Sequence, residues 1–437
     1  MSFIHPLLKR TMMASSVTPI LVQAEFTKLD QVMNKIDMVQ SIPGATFPRF
    51  SMFGMFATQS NIKLISNTPG VQAVLPDLPI KAFDQYAVVG DLQSVYIGTK
   101  HSRTYLGADI AEQQGITGKG VKVAIIDTGV FNAHKQLMFK AADVNAILPA
   151  PELPAVPSLP PPLSDRMKLL QFSGTPVGFD DNGHGTHCVT TVGGNEVLGP
   201  NNIECKGVAP GAGLLSIKVL GTPLGVGMSS DIIRGIDIAM SRGAKVISMS
   251  LGASVGDNNT AECLAIKTAM NLDPKLVFVV AGGNFGPGGS TMGSPACSQE
   301  ALTVGSMSII DNAVSYFSSR GPTTDGLVKP DVIAPGGGRK VEPVDGVGGE
   351  YIFSGTSIGT ILDIAEDKSA NGWAALHGTS MACPHVAGLV ALLKQYNPDV
   401  TTDYIKQVMQ SRGKPKDNIS GWGPISYQMF FEEKKVG

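Results

Sequence analysis

Residues 121–129 read VKVAIIDTG, a nearly continuous run of apolar side chains that ends at an aspartate and a glycine. Comparable apolar runs follow along the chain at 214–220 (LLSIKVL), 245–249 (KVISM) and 276–280 (LVFVV). Because such runs are apolar on both faces, they predict strands that are covered from both sides. Residues 230–240 carry apolar side chains at helical spacing. Strands that alternate with helices predict an α/β domain with a mostly parallel sheet and helices on both faces.

Three polar residues lie just beyond these predicted strands. Asp127 ends the first run, Ser250 follows the third, and Asn284 comes shortly after the fourth. In open parallel sheets, functional side chains gather beyond the carboxyl ends of the strands. The sequence therefore predicts a functional site at this edge of the sheet.

The first part of the chain has a different pattern. Residues 18–76 read as strand, helix, strands, helix and strand, with the two helices placed around Leu29 and Ile62. This order predicts a small α+β unit of the ferredoxin-like kind. The change to alternating buried strands and helices comes near residue 105.

Composition excludes several classes of protein. Of the 437 residues, 43% are hydrophobic and 16% charged, so the chain can bury a large core and is not globally disordered. The 34 basic and 36 acidic residues give a net charge of −2 without a basic stripe, so we expect no nucleic-acid partner and no electrostatic membrane anchor. No run of eighteen apolar residues predicts a membrane span. The N-terminus is too short and too polar to predict a signal peptide.

The chain has five cysteines at irregular spacing, which does not predict a disulfide framework. Cys263 and Cys297 are the one pair that we consider for a bridge. A Pro-rich stretch at 148–163 includes LPPP at 159–162 and predicts an exposed insertion, because proline removes the N–H groups that strands and helices need. A surface loop is favoured over a partner-recognition segment there, since nothing else marks it as a ligand.

Three short segments place reactive groups among glycines and small residues. They are 126–129 (IDTG), 181–187 (DNGHGTH) and 377–388 (HGTSMACPHVAG). Acyl transfer by a serine needs an imidazole that takes the hydroxyl proton, and a carboxylate that orients and stabilises that imidazole. The three segments together supply one group of each kind.

In the order Asp, His, Ser, these segments resemble the subtilisin-like serine proteases. Further blocks resemble the family at 207–212 (GVAPGA), 249–252 (MSLG), 317–322 (FSSRGP) and 329–336 (KPDVIAPG), so the resemblance covers roughly residues 105–425. It implies a subtilisin-like α/β fold and a serine endopeptidase. It assigns Ser380 as the nucleophile, His184 as the general base and then acid, and Asp127 as the carboxylate partner.

The resemblance also assigns the groups around the reacting bond. Asn284 and the backbone N–H of Ser380, at the start of a helix, would form the oxyanion hole. The walls and floor of the first specificity pocket would be formed by Ser250, Leu251, Gly252, Ala281, Gly283 and Gly293. Small uncharged residues leave a wide pocket, so we expect broad specificity with bulky apolar side chains preferred before the cut bond.

Competing assignments exist for each catalytic group. His187 is a second candidate base, but the family gives that position a structural role. Ser357, in 355–358 (GTSI), lacks the continuation that follows Ser380. Cys188 and Cys383 are expected to be buried small residues rather than nucleophiles, and Cys188 occupies the position of a cysteine in the proteinase K branch. If they lie near the site, they confer sensitivity to mercurials.

No cofactor is expected for the chemistry, and no metal ligands are assigned. Family members often bind calcium through an aspartate two residues after the histidine that corresponds to His134. This chain has Gln136 there, which argues against that particular site because carboxylates dominate tight calcium sites. Structural calcium elsewhere stays open.

The resemblance gives the N-terminal unit a meaning. Residues 1–100 would be an inhibitory, folding-assisting propeptide with its processing linker, and residues 101–437 the catalytic domain. We expect a self-cut between about Leu78 and Ser102, with Phe83 or Tyr86 before the cut bond. The expected partners are polypeptide substrates and the chain's own propeptide, on a monomer. Secretion is favoured over a cytoplasmic location.

Two other functions stay open at this point. The chain could be a catalytically silent subtilisin scaffold that only binds partners, or its first 100 residues could act as a free protease inhibitor in trans.

Overall fold

The computed structural model describes residues 2–10, 17–36, 41–82, 85–86, 94–138, 143–144, 180–221, 224–342, 349–364 and 372–431. The Pro-rich stretch at 148–163 and the expected processing position Phe83 lie outside these residues. Within the described residues, no helix combines the length and the apolar character that a membrane span needs.

The N-terminal unit is a five-stranded sheet with helices against it. Its elements are β1 Phe3–Ile4, α1 Pro6–Arg10, β2 Thr18–Ala24, α2 Leu29–Lys35, β3 Ser41–Phe47, β4 Met52–Ala57, α3 Gln59–Ser66 and β5 Val71–Pro76. The strand order is β1-β5-β2-β4-β3, and β2 pairs antiparallel with both β4 and β5. Within the sheet, the four strands after β1 are therefore arranged as in a ferredoxin-like unit, the kind of unit that the sequence predicts. The pairing of β1 with β5 was not predicted.

A connecting region follows and leads into the larger unit. Its elements are β6 Pro79–Ala82, β7 Gln85–Tyr86, β8 Val95–Gly98, α4 Thr99–Tyr105 and α5 Ala108–Gln113. Each of the three strands pairs with strands of the larger unit.

The larger unit is built on an eight-stranded sheet. Its strands are β9 Lys122–Asp127, β10 Asp143–Val144, β13 Gly213–Lys218, β15 Val246–Met249, β17 Val277–Ala281, β18 Leu302–Ser308, β19 Ala313–Val314 and β20 Val332–Pro335. The order is β10-β13-β9-β15-β17-β18-β19, with β20 also paired to β18. All of these pairs are parallel except β18 with β19. The predicted fold class is confirmed.

Alternate residues of a central strand enter two different cores. Val123 and Ile125 of β9 pack in one hydrophobic cluster, whereas Ala124 and Ile126 pack in another on the opposite face. The near-continuous apolar run of this strand is explained by this double burial.

Helices cover both faces of the sheet. They are α6 His184–Gly193, α7 Ser229–Ser241, α8 Ala261–Leu272, α9 Ile361–Ile364, α10 Thr379–Tyr396 and α11 Thr402–Arg412. Helix α10 is buried from Thr379 to Lys394 and contributes Val386, Leu389 and Leu393 to the first core. Helices α7 and α8 belong to the second core, which also takes in side chains of the N-terminal sheet, among them Phe47 and Leu75.

Three small sheets complete the fold. The hairpin of β11 Val197–Leu198 and β12 Glu204–Cys205 forms one of them. Strand β6 lies between β14 Val226–Met228 and β16 Leu251–Gly252 in the second. The third has the order β7-β22-β21-β8, with β21 Glu350–Gly355 and β22 Trp373–His377.

Candidate active site

The predicted site residues converge on one edge of the large sheet. Asp127 ends β9, Ser250 follows β15 directly, and Ala281 ends β17. These three strands are neighbours in the sheet, so their carboxyl ends lie side by side. Ser380, in the first turn of α10, meets them there through a hydrogen bond with Ser250.

Asp127 and His184 form a buried pair. The Nδ1 atom of His184 lies 2.7 Å from Oδ1 of Asp127, and both side chains are fully buried. His184 begins α6, directly after Gly183, whose φ of +103° suits glycine rather than another residue. A Cβ atom at Gly183 would also meet Thr356 Oγ1 at 2.2 Å, so this turn has no room for a side chain.

The electrostatics of this pair favour the imidazolium form. Burial opposes protonation of His184, but the carboxylate of Asp127 outweighs it and raises the pKa of His184 well above its ordinary value. A carboxylate that stabilises the imidazolium is what a general base needs while it holds the proton of the nucleophile.

The hydroxyl of Ser380 makes its hydrogen bond with a backbone carbonyl oxygen rather than with this imidazole. Ser380 Oγ donates to the carbonyl oxygen of Ser250 at 3.1 Å, and Ser250 Oγ donates to the carbonyl oxygen of Ser380 at 3.0 Å. The buried Nε2 atom of His184 has no hydrogen-bond partner among the described residues. The relay predicted from sequence is therefore formed between Asp127 and His184, and its second contact, to Ser380, is not made in this arrangement.

Sequence reasoning overlooked Asp180, which joins the first two catalytic segments. Asp180 Oδ1 accepts hydrogen bonds from Thr128 Oγ1 at 2.9 Å and from the Gly183 N–H at 2.8 Å. Its Oδ2 accepts from the N–H and the hydroxyl of Thr186 at 2.9 and 2.6 Å. Thr128 Oγ1 in turn accepts from the N–H of Gly185 at 2.8 Å. A run of two acidic residues before Asn182 was the only sequence signal for this role.

Thr379 was also overlooked, and it orients the predicted oxyanion donor. Asn284 Oδ1 accepts hydrogen bonds from both the N–H and the hydroxyl of Thr379, each at 2.9 Å. Thr379 Oγ1 accepts from the N–H of Gly283 at 3.0 Å. Thr379 hydrogen-bonds to the carbonyl oxygen of the Asn284 amide. The NH₂ group of this amide therefore points in the opposite direction, as a donor to substrate requires.

Of the competing candidates, His187 and Ser357 make other contacts, whereas Cys188 lies beside His184. His187 Nε2 is 3.0 Å from the carbonyl oxygen of Ile352, and burial lowers the pKa of His187 to about 3. Ser357 lies after β21, where its carbonyl oxygen accepts from Thr360. Cys188 Sγ is 3.9 Å from His184 Nδ1, and burial raises the pKa of this thiol. Cys383 packs its thiol against the carbonyl oxygen of Val279 at 3.3 Å.

The residues predicted for the specificity pocket are buried near this edge. Leu251 and Gly252 form β16, while Gly283 lies two residues beyond β17 and has a φ of +104°. Gly293 packs against the backbone of Ala253, since a Cβ atom there would lie 2.0 Å from the Ala253 carbonyl oxygen. Only glycine fits at 293, and this contact holds the segment against β16.

A segment of the chain itself, strand β6, lies beside the residues predicted for the specificity pocket. Strand β6 runs antiparallel to both neighbours, with Lys81 opposite Gly252 and Ala82 opposite Leu251. On the other side Lys81 pairs with Val226. Three residues further on, Gln85 pairs with His377, close to Ser380 in sequence.

The segment around Gln136, where we expect no calcium ligand, makes hydrogen bonds and ion pairs. Gln136 Oε1 accepts the N–H of Gly355 at 3.1 Å. The nearby hairpin carries Glu196 and Glu204, and Lys100 Nζ lies 2.8 and 2.7 Å from their carboxylates. In the part of the chain that the structure describes, the one cluster of three metal-type donors is Asp127, His184 and Cys188, which includes the buried Asp127–His184 pair.

The α/β fold and the meeting of Asp127, His184 and Ser380 at one edge of its sheet agree with a serine hydrolase, and similarity to known proteins gives the family. The Peptidase_S8 (subtilase) family model matches residues 118–423, so the chain belongs to the subtilase family. The solved structure of fervidolysin from Fervidobacterium pennivorans, a keratinolytic enzyme related to subtilisin, is similar with a TM-score of 0.68. It is 21% identical, and the match covers 98% of this chain and 62% of that one.

Curated relatives are also proteases. Serine protease AprX of Bacillus subtilis is 32% identical over 334 residues, which are 72% of this chain and 66% of AprX. Minor extracellular protease Vpr of the same organism is 33% identical over 71% of this chain and 36% of Vpr. Alkaline elastase YaB of a Bacillus species is 30% identical over 81% of this chain and 74% of that protein. The chain therefore spans just under two thirds of AprX and about a third of Vpr.

Proposed function

We propose that this chain is a serine endopeptidase that is synthesised as a zymogen and cuts its own N-terminal unit away. Asp127, His184 and Ser380 form the triad, and Asn284 with the N–H of Ser380 forms the oxyanion hole. The single observation that carries the proposal is the pairing of two short segments, residues 79–82 and 85–86. They pair with strands that lead to Ser250 and to Ser380, as a bound substrate would.

The position of the cut follows from this pairing. Ala82 is opposite Leu251, the residue after Ser250, and Gln85 is opposite His377, three residues before Ser380. Two residues, Phe83 and Asp84, separate these paired positions along the chain. Because Ser250 and Ser380 contact each other, the bond between Phe83 and Asp84 is the one we expect to be cut. Tyr86 is a less suitable residue before the cut bond, because it follows Gln85, the residue that pairs with His377.

The chemistry starts with a change of hydrogen bond at Ser380. Its hydroxyl must exchange the Ser250 carbonyl for Nε2 of His184, which requires rotation of the serine side chain. His184 then takes the hydroxyl proton as Oγ attacks the carbonyl carbon, and the resulting oxyanion accepts hydrogen bonds from Asn284 and the Ser380 N–H. His184 gives the proton to the departing amine, and water hydrolyses the acyl-enzyme in the reverse manner.

Mass spectrometry of the purified full-length chain and its Ser380→Ala variant tests this proposal. We expect the wild type to yield fragments 1–83 and 84–437, and the variant to stay intact. Ser357→Ala is the matched control and should be processed like the wild type. A Ser380→Ala chain that is cut at the same bond, in the absence of other proteases, would contradict self-processing.

An activity assay separates this proposal from a silent scaffold. A fluorogenic peptide with an aromatic residue before the cut bond should be hydrolysed by the processed wild type and protected by a serine-directed inhibitor. Absence of turnover by a correctly folded, processed chain would favour the scaffold.

We also propose a preference for bulky apolar residues before the cut bond. Phe83 at the expected cut agrees with it, and Gly252, Gly283 and Gly293 add no charged side chain to the predicted pocket. A peptide library profiles this preference directly. A strict requirement for Arg or Lys would show that the pocket has been assigned wrongly.

The remaining expectations also belong to this proposal. Residues 1–100 would comprise the propeptide and its processing linker, within which the cut lies, and residues 101–437 the catalytic domain with its Pro-rich insertion. The enzyme would act as a monomer on polypeptide substrates without a catalytic cofactor, and structural calcium stays open. The similarity to Vpr, an extracellular protease, supports a secreted enzyme.

A further inference from the structure

Two cysteines outside the proposed catalytic machinery face each other in the core. Cys263 lies in the first turn of α8, and Cys297 follows Gly293 by four residues. Their Sγ atoms are 3.5 Å apart, and both residues are buried. The two residues are 34 positions apart in sequence, so folding alone brings them together.

The surroundings keep both sulfur atoms in place. Cys297 Sγ is 3.1 Å from the carbonyl oxygen of Asp257, and Cys263 Sγ is 3.9 Å from both Ser294 Oγ and the carbonyl oxygen of Pro295. A disulfide has an S–S length of about 2.05 Å, so the two sulfurs need to approach by only about 1.5 Å. Small side-chain rotations can supply such a movement.

The other three cysteines have different partners. Cys188, Cys205 and Cys383 direct their thiols to the carbonyl oxygens of Ser380, Phe353 and Val279, at 3.6, 3.5 and 3.3 Å. Cys205 packs among the aromatic rings of Tyr351, Phe353 and Trp373, far from α8 in the fold. The geometry therefore points to Cys263 and Cys297 as the pair among the five cysteines that can form a disulfide.

We propose that Cys263 and Cys297 form a disulfide when the chain folds in the presence of a small-molecule disulfide such as oxidised glutathione. One thiolate attacks the oxidant and forms a mixed disulfide with release of one glutathione thiol. The second cysteine thiolate then attacks the protein sulfur of that mixed disulfide and releases the other glutathione thiol. Two protein thiols are oxidised, one oxidant disulfide is reduced to two thiols, and the two cysteine protons go to solvent or to the departing thiolates.

The redox state is set during folding rather than afterwards. Contact with Cys263 and burial raise the pKa of Cys297 well above its ordinary value, so little thiolate forms in the folded chain. Burial also keeps an external disulfide away from both sulfurs. A chain that folds reduced therefore stays reduced for long periods, and a chain that folds with oxidant carries the bond.

The bond ties α8 to the segment that forms the floor of the proposed specificity pocket. Ser294 pairs with Ala253 through two backbone hydrogen bonds, and the Cys297 N–H donates to the Gly293 carbonyl oxygen at 2.9 Å. The loop that the disulfide would close, between Cys263 and Cys297, contains β17 and Asn284. Because the crosslink restricts the unfolded chain, we expect a higher melting temperature in the oxidised form.

The experiment uses the full-length Ser380→Ala chain, which prevents self-digestion. The reduced, unfolded protein is refolded either with reduced and oxidised glutathione or with dithiothreitol. Each sample is then acid-quenched, unfolded, alkylated with N-ethylmaleimide and mapped by mass spectrometry. We expect a Cys263–Cys297 crosslinked peptide only after glutathione refolding, with the other three cysteines alkylated. Recovery of Cys263 and Cys297 as alkylated thiols from a correctly folded glutathione sample would overturn the proposal.

Melting temperature provides the second measurement. We expect the oxidised sample to melt several degrees higher than the reduced one. Cys263→Ser and Cys297→Ser should each abolish this difference, whereas the buried control Cys205→Ser should retain it. Comparing the two redox states of each variant cancels any general destabilisation by the substitution. A difference that persists in Cys297→Ser would assign the effect to another pair and contradict the proposal.

Discussion

His184 is under two opposing influences at the scale of single residues. Burial favours the neutral ring and Asp127 favours the charged one, and the carboxylate prevails. In the proposed mechanism the general base must be neutral before it accepts the serine proton, so we expect activity only above the pKa of His184. We therefore expect the carboxylate of Asp127 to set the lower limit of the working pH.

A pH profile tests this balance. We expect kcat/KM of the processed enzyme to fall as the pH drops through a value above 6.5, because protonated His184 cannot act as base. Asp127→Asn should lower kcat about 10⁴-fold, the loss known for the equivalent change in other Ser-His-Asp proteases. It should also move the inflection to lower pH. An unshifted inflection in Asp127→Asn would show that another group titrates.

Thr379 offers a test of positioning next to the oxyanion hole. We expect Asn284→Ala to lower kcat about 10²- to 10³-fold, the range measured for the corresponding donor in subtilisin. Thr379→Val removes one of two hydrogen bonds to Asn284 Oδ1 and should lower kcat about tenfold with little change in KM. Thr379→Ser should restore activity. In the Asn284→Ala background Thr379→Val should have almost no further effect, and a full additional loss would contradict this role.

At the scale of elements, the N-terminal unit is attached to helix α7 by a cap. Asp77 follows β5 and accepts hydrogen bonds from the N–H and the hydroxyl of Ser230, each at 2.9 Å. A carboxylate there satisfies an N–H that the first turn of a helix leaves unpaired, and it interacts favourably with the positive end of the helix dipole. The contact holds β6 close to its partner strands.

Removal of this cap should weaken the attachment. We expect Asp77→Ala to cost about 1 kcal/mol, as typical N-caps do, and to raise the inhibition constant of fragment 1–83 against the mature enzyme about fivefold. Asp77→Asn should have a smaller effect, since its amide oxygen still accepts hydrogen bonds. The exposed Asp30 of α2 is the matched control, and Asp30→Ala should leave inhibition unchanged. Equal effects of the two alanine variants would argue against the cap.

At the scale of the whole molecule, a buried charge cluster joins distant parts of the chain. Asp331 Oδ2 is 2.7 Å from Lys329 Nζ, and Oδ1 is 2.7 Å from Lys416 Nζ in the C-terminal turn. Burial alone would raise the pKa of Asp331, but these lysines and Lys406 of α11 hold it well below its ordinary range. The carboxylate is thus the common partner of three cations.

Loss of the shared carboxylate should destabilise the protein strongly. We expect Asp331→Asn to lower the free energy of unfolding by about 3–5 kcal/mol, because it leaves buried Lys329 without its counter-charge. Urea unfolding of the Ser380→Ala chain measures this. Lys275→Met, which breaks the exposed pair with Asp399, is the control and should have no measurable effect.

Asp331 contributes its stability above the pKa of an unfolded aspartate, near 4, and the contribution is lost as the pH falls towards the lowered folded value. A pH-independent difference between wild type and Asp331→Asn across this range would contradict the ionic role.

The sequence by itself predicted the main strands and helices and the candidate reactive residues. The apolar run that ends at Asp127 is typical of a doubly covered strand, and Gly183 marks a turn where φ is positive and a side chain does not fit. These are local properties, so they can be read from neighbouring residues. The small N-terminal unit was likewise visible as an order of elements.

Only the tertiary structure decided which distant groups meet. Asp180 with Thr128, Thr379 with Asn284, and Asp77 with Ser230 are contacts between segments whose separation in sequence carries no distance information. The pairing of residues 79–82 and 85–86 with strands of the larger unit, and the hydrogen bond of the Ser380 hydroxyl, depend in the same way on how sheets and helices pack. Packing is a property of the whole chain, because each of these side chains is positioned by burial of apolar surface elsewhere.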